Sequence, residues 1–363
     1  MRNFFQKLLT PPVIRLANQI SSRPDKARVN KALTELYAGI KNNSSEKGLV
    51  IPFEVGEGKF IILSDQHKGA RDGADVFALA EKNYLAALDY YAQKQFFYIN
   101  LGDSEELWEN LLITVKRHNK ATFKAERKFI DRKAFIKIFG NHDLYWDNDP
   151  LADFNLKKIY GRIIPIYEGI ILQTRINKKN LDIYLTHGHQ GDLQSDGNWF
   201  SKWFVSDIWG PFQGWLRINP NTPANNDQLK TAHNQMMYQW SSKHKNVLLI
   251  TGHTHQPVFK SLTHIEQLYE ELRALEAGSD TVKIAAKKKE IKAREQKGDH
   301  MPKFKSILDT YFNSGCCCFD DGDITGIELE GGFIRLIKWQ YKGGKASERL
   351  VLGESRLADL KIN

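Results

Sequence analysis

The sequence has no run of 18 or more apolar residues, which excludes a membrane-spanning helix of ordinary length. Its N-terminus, MRNFFQKLLTPP, lacks the apolar stretch and small-residue cleavage site of a signal peptide. The expectation is a chain made and kept in the cytoplasm. Cysteine is scarce, with three residues that stand in a row as Cys316, Cys317 and Cys318. Consecutive cysteines make a poor disulfide framework and suit a reducing compartment. Because neighbours in extended chain point to opposite faces, the three are read as structural thiols and not as a ligand set. No internal repeat divides the chain.

At 363 residues the chain can hold one large or two modest domains, and 41% hydrophobic with 11% aromatic content is ample for a core. The net charge of +9, from 52 Lys and Arg against 43 Asp and Glu, favours anionic partners. Phosphorylated substrates, nucleic acid and acidic lipid all qualify on charge alone. Part of the excess is local: KIAAKKKEIKAREQK, Lys283 to Lys297, holds seven basic and two acidic residues and reads as a solvated helical face. No single-strand stacking platform or recognition motif stands out, so nucleic acid is the less favoured partner.

From Lys59 to Thr251 the apolar runs KFIILS, FFYINL, FIKIF, DIYLT and VLLIT alternate with helical patterns. That alternation predicts an α/β fold. Between the first two runs, Asp75 to Gln93 carries Val76, Leu79, Ala80, Tyr84, Leu88 and Tyr91 at helical spacing, predicting a crossover helix. Residues 1–50 read as an N-terminal helical extension: a short amphipathic turn stopped by Pro11 and Pro12, then a helix begun by Ser22 with Asp25 three on. Its apolar side is Val29, Leu33, Leu36 and Ile40. Phe4, Phe5, Leu8 and Leu9 beside Arg2 and Lys7 offer a peripheral membrane contact as the alternative to packing. Residues 51–363 then form the main domain, interrupted by an aromatic helical insertion at 190–245 and a charged helical hairpin at 262–300 turning near Gly278 and Ser279. After the hairpin, β-rich runs broken by Asp-Gly and Gly-Gly turns are expected to complete a second sheet.

Each apolar run ends in residues able to bind a metal. KFIILS leads to Asp65-Gln66-His67, FFYINL to Gly102-Asp103, FIKIF to Gly140-Asn141-His142-Asp143, DIYLT to His187-Gly188-His189, and VLLIT to Gly252-His253-Thr254-His255. Ligands of open α/β sheets collect outside the carboxyl ends of strands, so the five clusters are expected to share one crevice. In extended chain His253 and His255 project to the same side and can aim two imidazoles at one point. The mixture of carboxylate, imidazole and carboxamide suits two divalent ions, with Mn2+ preferred and Fe2+ or Zn2+ as alternatives, better than an oxygen-only Mg2+ or Ca2+ site. Paired ions can hold an attacking hydroxide and polarise a phosphoryl oxygen together.

Asp-x-His, Gly-Asp, Gly-Asn-His-Asp, a further His-Gly and Gly-His-x-His, in this order, resemble the calcineurin-like metallophosphoesterases over roughly residues 59 to 256. The resemblance implies a two-layer β-sandwich flanked by helices, with helical insertions, and hydrolysis of a phosphate ester or anhydride. It implies Asp65, His67 and His255 on one ion, Asn141, His187 and His253 on the other, and Asp103 bridging. His142 would contact the phosphate and protonate the leaving group, with Asp143 orienting its ring, since a neighbouring carboxylate favours the protonated imidazole. His187, directly before glycine, fits the family pattern, and His189 falls beside it or near substrate.

GDSEELWE, with Glu106 and Trp108 at fixed offsets after Asp103, together with the helical insertion, is similar to the UDP-2,3-diacylglucosamine hydrolases of lipid A synthesis. In that reading Trp199, Phe200, Trp203, Phe204, Trp209, Phe212 and Trp215 wall an acyl pocket for a lipid-linked substrate. Those hydrolases commonly carry arginine where this chain has His142. A nuclease of the same fold and a non-catalytic scaffold are the rival readings.

Overall fold

The computed structural model describes residues 25–43, 47–72, 75–108, 110–191, 227–278, 281–295, 308–341 and 346–363. Two seven-stranded sheets face each other. The first holds β1 (Gly48–Pro52), β6 (Gly169–Ile176), β7 (Lys179–Thr186), β8 (Val247–Thr251), β9 (Val258–Phe259), β10 (Leu262–Thr263) and β11 (Tyr311–Asn313), in the order β1-β6-β7-β8-β11-β9-β10. The second holds β2 (Lys59–Leu63), β3 (Phe97–Leu101), β4 (Phe135–Ile138), β5 (Ile166–Tyr167), β12 (Ile324–Glu330), β13 (Phe333–Gln340) and β14 (Glu348–Arg356), in the order β14-β13-β12-β2-β3-β4-β5. This is the expected two-layer sandwich, and the expected C-terminal strands extend the second sheet.

The strands are almost wholly apolar because both of their faces are buried. Phe60 and Ile62, Ile99 and Leu101, and Ile136 and Ile138 meet Leu172, Ile183, Leu185, Leu248 and Ile250 in the core between the sheets. The alternate residues Ile61, Leu63 and Tyr98 turn outward onto the helix Phe77–Gln93. That helix begins two residues later than expected and buries Phe77, Ala80, Tyr84, Ala87, Leu88 and Tyr91; Val76 and Leu79 fall on its solvent side. On the other sheet, Val247 and Leu249 pack on the helices Lys26–Asn42 and Asp227–Ser241.

The helix Lys26–Asn42 buries Val29, Leu33, Leu36 and Ile40, the stripe expected from its spacing. It is capped by Asp25, whose carboxylate accepts from the Arg28 amide at 2.9 Å, in place of a start at Ser22. The boundary drawn after residue 50 falls inside β1, which pairs in parallel with β6 from Gly48 to Pro52. β1 is thus part of the first sheet, and the helix Lys26–Asn42 packs on it. The amphipathic turn near Pro11, with Phe4, Phe5, Leu8 and Leu9, and the tryptophans and phenylalanines of 199–215, lie outside the described residues. The charged hairpin is formed by the helices His264–Gly278 and Thr281–Glu295. Among the described residues no helix is long and apolar enough to cross a membrane.

β2, β3 and β4 are mutually parallel neighbours, and so are β7 and β8 in the facing sheet. All five motif-bearing loops leave carboxyl ends of these strands, at one edge of the sandwich.

Candidate metal centre

Backbone hydrogen bonds carry the parallel pairing of β2 and β3 past the strand ends. Asp65 N donates to Gly102 O at 3.0 Å and His67 N to Asp103 O at 2.9 Å, so the two acidic loops run side by side. The sheets are joined across the crevice by Asp65, whose two carboxylate oxygens accept the His253 amide at 3.1 and 3.0 Å. Asp103 Oδ1 accepts the His142 amide at 2.8 Å, tying the loop after β4 to that after β3. Close approach demands glycine at two joints. At Gly102, φ is +90° and a Cβ would press on the His187 ring at 2.6 Å; at Gly140 it would overlap the Asp103 carboxylate.

These contacts converge seven side chains, nearly all buried. Asp65 Oδ1 lies 3.2 Å from His255 Nε2, and His255 Nε2 lies 3.1 Å from His67 Nε2. Asp103 Oδ2 lies 3.1 Å from His187 Nε2 and 3.8 Å from His67 Nε2, between the two histidine groups. Asp103, His187 and His253 offer ligand atoms within 4.8 Å of one another, as do His67, Asp103 and His142. His189 is buried beside this group, its ring 5.4 Å from that of His187.

Three features of the donor set suit metal. Asn141 Oδ1 and His253 Nε2 are buried without a hydrogen-bond partner, which a folded protein tolerates rarely because a lost bond costs about 1–3 kcal/mol. Asp65, His67, Asp103, His253 and His255 all take left-handed backbone, with φ between 50° and 69°. Residues other than glycine enter that region at about 1–3 kcal/mol each, and such strain gathers at functional sites. Outward-facing imidazole nitrogens are held as ligating histidines require: His67 Nδ1 meets Glu106 Oε2 at 2.8 Å and His187 Nδ1 meets Leu101 O at 2.9 Å.

The charges agree. Burial opposes a proton on His187, yet the carboxylates of Asp103 and Asp65 outweigh it and lift the ring to about 9. Burial likewise opposes ionisation of Asp103, and His187 and His142 nevertheless hold its carboxyl well below the usual range. His253 is pushed well below its ordinary value by burial and by the neighbouring His233 and His187. Buried carboxylates set among this many imidazoles are suited to a divalent cation, whose binding displaces the protons.

The ring of His142 is held differently from the expectation. Asp143 accepts backbone amides from Gly140 at 2.6 Å, Ser104 at 2.9 Å and Asp103 at 3.3 Å, and so fixes the loops. The carboxylate at His142 Nδ1 is Glu106, at 2.9 Å, and Trp108 stacks on the ring with centroids 4.1 Å apart. The resemblance implies Asp143 in that place, but its carboxylate points inward onto these amides. Sequence motifs also passed over Asn313, which donates to Gly252 O at 2.7 Å, and His233, whose Nε2 meets Gly188 O at 2.7 Å. Below them lies a wholly buried charge network. Lys137 Nζ meets Glu105 Oε2 at 2.7 Å and Lys68 Nζ meets Glu126 Oε1 at 2.5 Å, with Trp146 Nε1 also donating to Glu105.

A sandwich with this crevice defines a metal-dependent phosphoesterase, a hydrolase acting on phosphoric ester bonds. The chain belongs to the calcineurin-like phosphoesterase family, whose model matches residues 58–257, more than half of its length. That family uses two divalent metals and acts on phosphorylated substrates. No curated protein matches the chain. Among solved structures, vacuolar protein sorting 29 from Cryptosporidium parvum is 13% identical, with 82% of this chain and 98% of that one covered and a TM-score of 0.33. A mutant cold-active protein tyrosine phosphatase is 11% identical, with 84% and 82% covered and a TM-score of 0.37. Likeness at that level adds nothing to the family match.

Proposed function

We propose that the chain hydrolyses a phosphate ester or anhydride with two divalent ions, one held by Asp65, His67 and His255, the other by Asn141, His187 and His253, with Asp103 shared. The observation that carries this reading is the pair of buried, unbonded ligand atoms Asn141 Oδ1 and His253 Nε2, set against Asp103 Oδ2 lying between His67 and His187. Bound ions would supply Lewis acidity toward a phosphoryl oxygen and a lowered pKa for an attacking water. The protein supplies the rest. Glu106 and Trp108 hold the His142 ring at Nδ1 and at one face, so Nε2 is the nitrogen assigned to the phosphate and to the proton taken by the leaving group. Asp143, by gathering three amides, keeps the Asp103 and Asn141 loops in register.

The donor set gives Mn2+ first place, with Fe2+ and Zn2+ next. A second reading, a pyrophosphate hydrolase of the UDP-2,3-diacylglucosamine type on a lipid-linked substrate at the membrane surface, gains from one observation: Glu106 and Trp108, the pair that carries that resemblance, both touch His142. The test is a panel of monoesters, diesters, nucleotide-sugar anhydrides and DNA with Mn2+ added. Turnover of a monoester or diester supports the first reading, selective turnover of an acylated anhydride the second, and of DNA a nuclease. No metal-dependent turnover of any class would overturn the proposal.

A further inference from the structure

We propose that His233 and Asn234, adjacent on the helix Asp227–Ser241, are positioning residues of the metal centre, an inference that rests on the two-metal reading above. His233 acts on the ion assigned to Asn141, His187 and His253, and Asn234 on the loop that carries both His253 and His255. The helix lies within the segment 190–245 that separates the two histidine motifs. It therefore braces the site as well as covering the sheet.

Both side chains are buried. His233 Nε2 lies 2.7 Å from Gly188 O, and because a carbonyl only accepts, this nitrogen carries the hydrogen and donates. Gly188 follows His187 at φ +106°, where a Cβ would press on Thr251 Cβ at 3.1 Å. The peptide after His187 is thus held between β8 and the helix. His187 O in turn accepts the Gly252 amide at 3.0 Å, one residue before His253.

Asn234 grips the residue between the two imidazoles. Its Oδ1 accepts from Thr254 Oγ1 at 3.2 Å and from Tyr311 OH at 2.8 Å, and its Nδ2 donates to Gln256 Oε1 at 2.8 Å. His253 and His255 take left-handed backbone, at φ 69° and 54°, a state that persists only where surrounding contacts impose it. Losing the His233 donor frees the peptide beside His187, which serves one ion. Losing Asn234 frees Thr254 and the imidazoles on either side, which serve both.

The test is equilibrium dialysis of the full chain, freed of metal by chelation, against graded Mn2+, beside urea unfolding of each metal-free variant. His233→Leu keeps the bulk without the donor, and His233→Gln keeps a donor. The expected result is two Mn2+ in the wild type, with one of them bound about 10- to 100-fold more weakly in His233→Leu and restored in His233→Gln. Asn141→Ala combined with His233→Leu should still bind one Mn2+ at wild-type strength, and Asn234→Leu should weaken both ions. Unchanged affinities in folded His233→Leu or Asn234→Leu, whatever the unfolding midpoint, make that residue a packing contact and overturn its assignment. Equal weakening in His233→Leu and His233→Gln overturns the hydrogen bond as the cause, and loss of both ions from the double variant, where Asn141→Ala alone keeps one, overturns the choice of ion. Should His233→Leu not fold, His233→Ala removes the donor without the bulk and is read the same way. Fewer than two Mn2+ in the wild-type chain ends the two-metal reading itself, and this inference with it.

Discussion

His142 Nδ1 lies 2.9 Å from Glu106 Oε1 and 2.8 Å from Oε2, and that second oxygen lies 2.8 Å from His67 Nδ1 as well. One side chain thus sets the orientation of an imidazole assigned to an ion and of the imidazole assigned to substrate.

A general acid matters most when the leaving group is poor. In His142→Ala, turnover of an alkyl phosphate should fall by about 10² to 10⁴, and of a nitrophenyl ester by clearly less, with both ions retained. Glu106→Gln should show the same substrate bias and, because the amide keeps a single acceptor oxygen for the two rings of His67 and His142, weaken metal binding by about 10- to 100-fold. Rates on the two esters beside metal analysis decide it. Equal losses on both esters in His142→Ala would leave that residue a phosphate contact and no acid.

The buried network under the site should matter for stability. Lys137 and Glu105 are fully buried, and burial alone would raise the Glu105 carboxyl, which Lys137 and Lys68 instead pull down to about 2. Glu105→Gln leaves the Lys137 charge with only the more distant Asp143 carboxyl, 3.8 Å away, and should cost about 3–5 kcal/mol in urea unfolding. Adding Lys137→Met should recover part of that loss. A single-variant cost below about 1 kcal/mol, the range of exposed pairs, would contradict this.

Much of this was legible from residue order, and the exceptions have physical causes. The five strands could be read because both faces are buried, as Leu248 and Ile250 against Val247 and Leu249 illustrate. The candidate site could be proposed because ligand types cluster where those strands stop. Adjacent residues are harder: Glu105 points into the interior and Glu106 into the site, and no periodicity applies in a loop. Lys137 interrupts FIKIF as an exposed strand residue would, yet its partners come from other elements. Asn313 and His233 reach the site singly, from β11 and from the helix Asp227–Ser241, without any motif.

Docking of the helix Lys26–Asn42 should depend on acid. Asp182 accepts from Tyr37 at 2.6 Å, Lys41 at 2.8 Å and Gln173 at 2.8 Å. Burial would raise its carboxyl, but the bonds from Gln173, Lys41 and Tyr37 prevail and lower it. A carboxyl lowered in the folded state stabilises fully above its unfolded value of about 3.9, and that contribution disappears as pH falls through the folded value. Urea unfolding of wild type and Asp182→Asn should therefore differ at pH 7 and converge toward pH 2. An equal difference at both would refute the role of the ionised group.

The central claim is a pair of ions joined by Asp103. Metal analysis of purified protein after dialysis against Mn2+ should find two ions per chain in the wild type, a loss from both positions in Asp103→Ala, and a loss mainly from one in Asn141→Ala. Full occupancy in Asp103→Ala, or a single ion in the wild type, would contradict it.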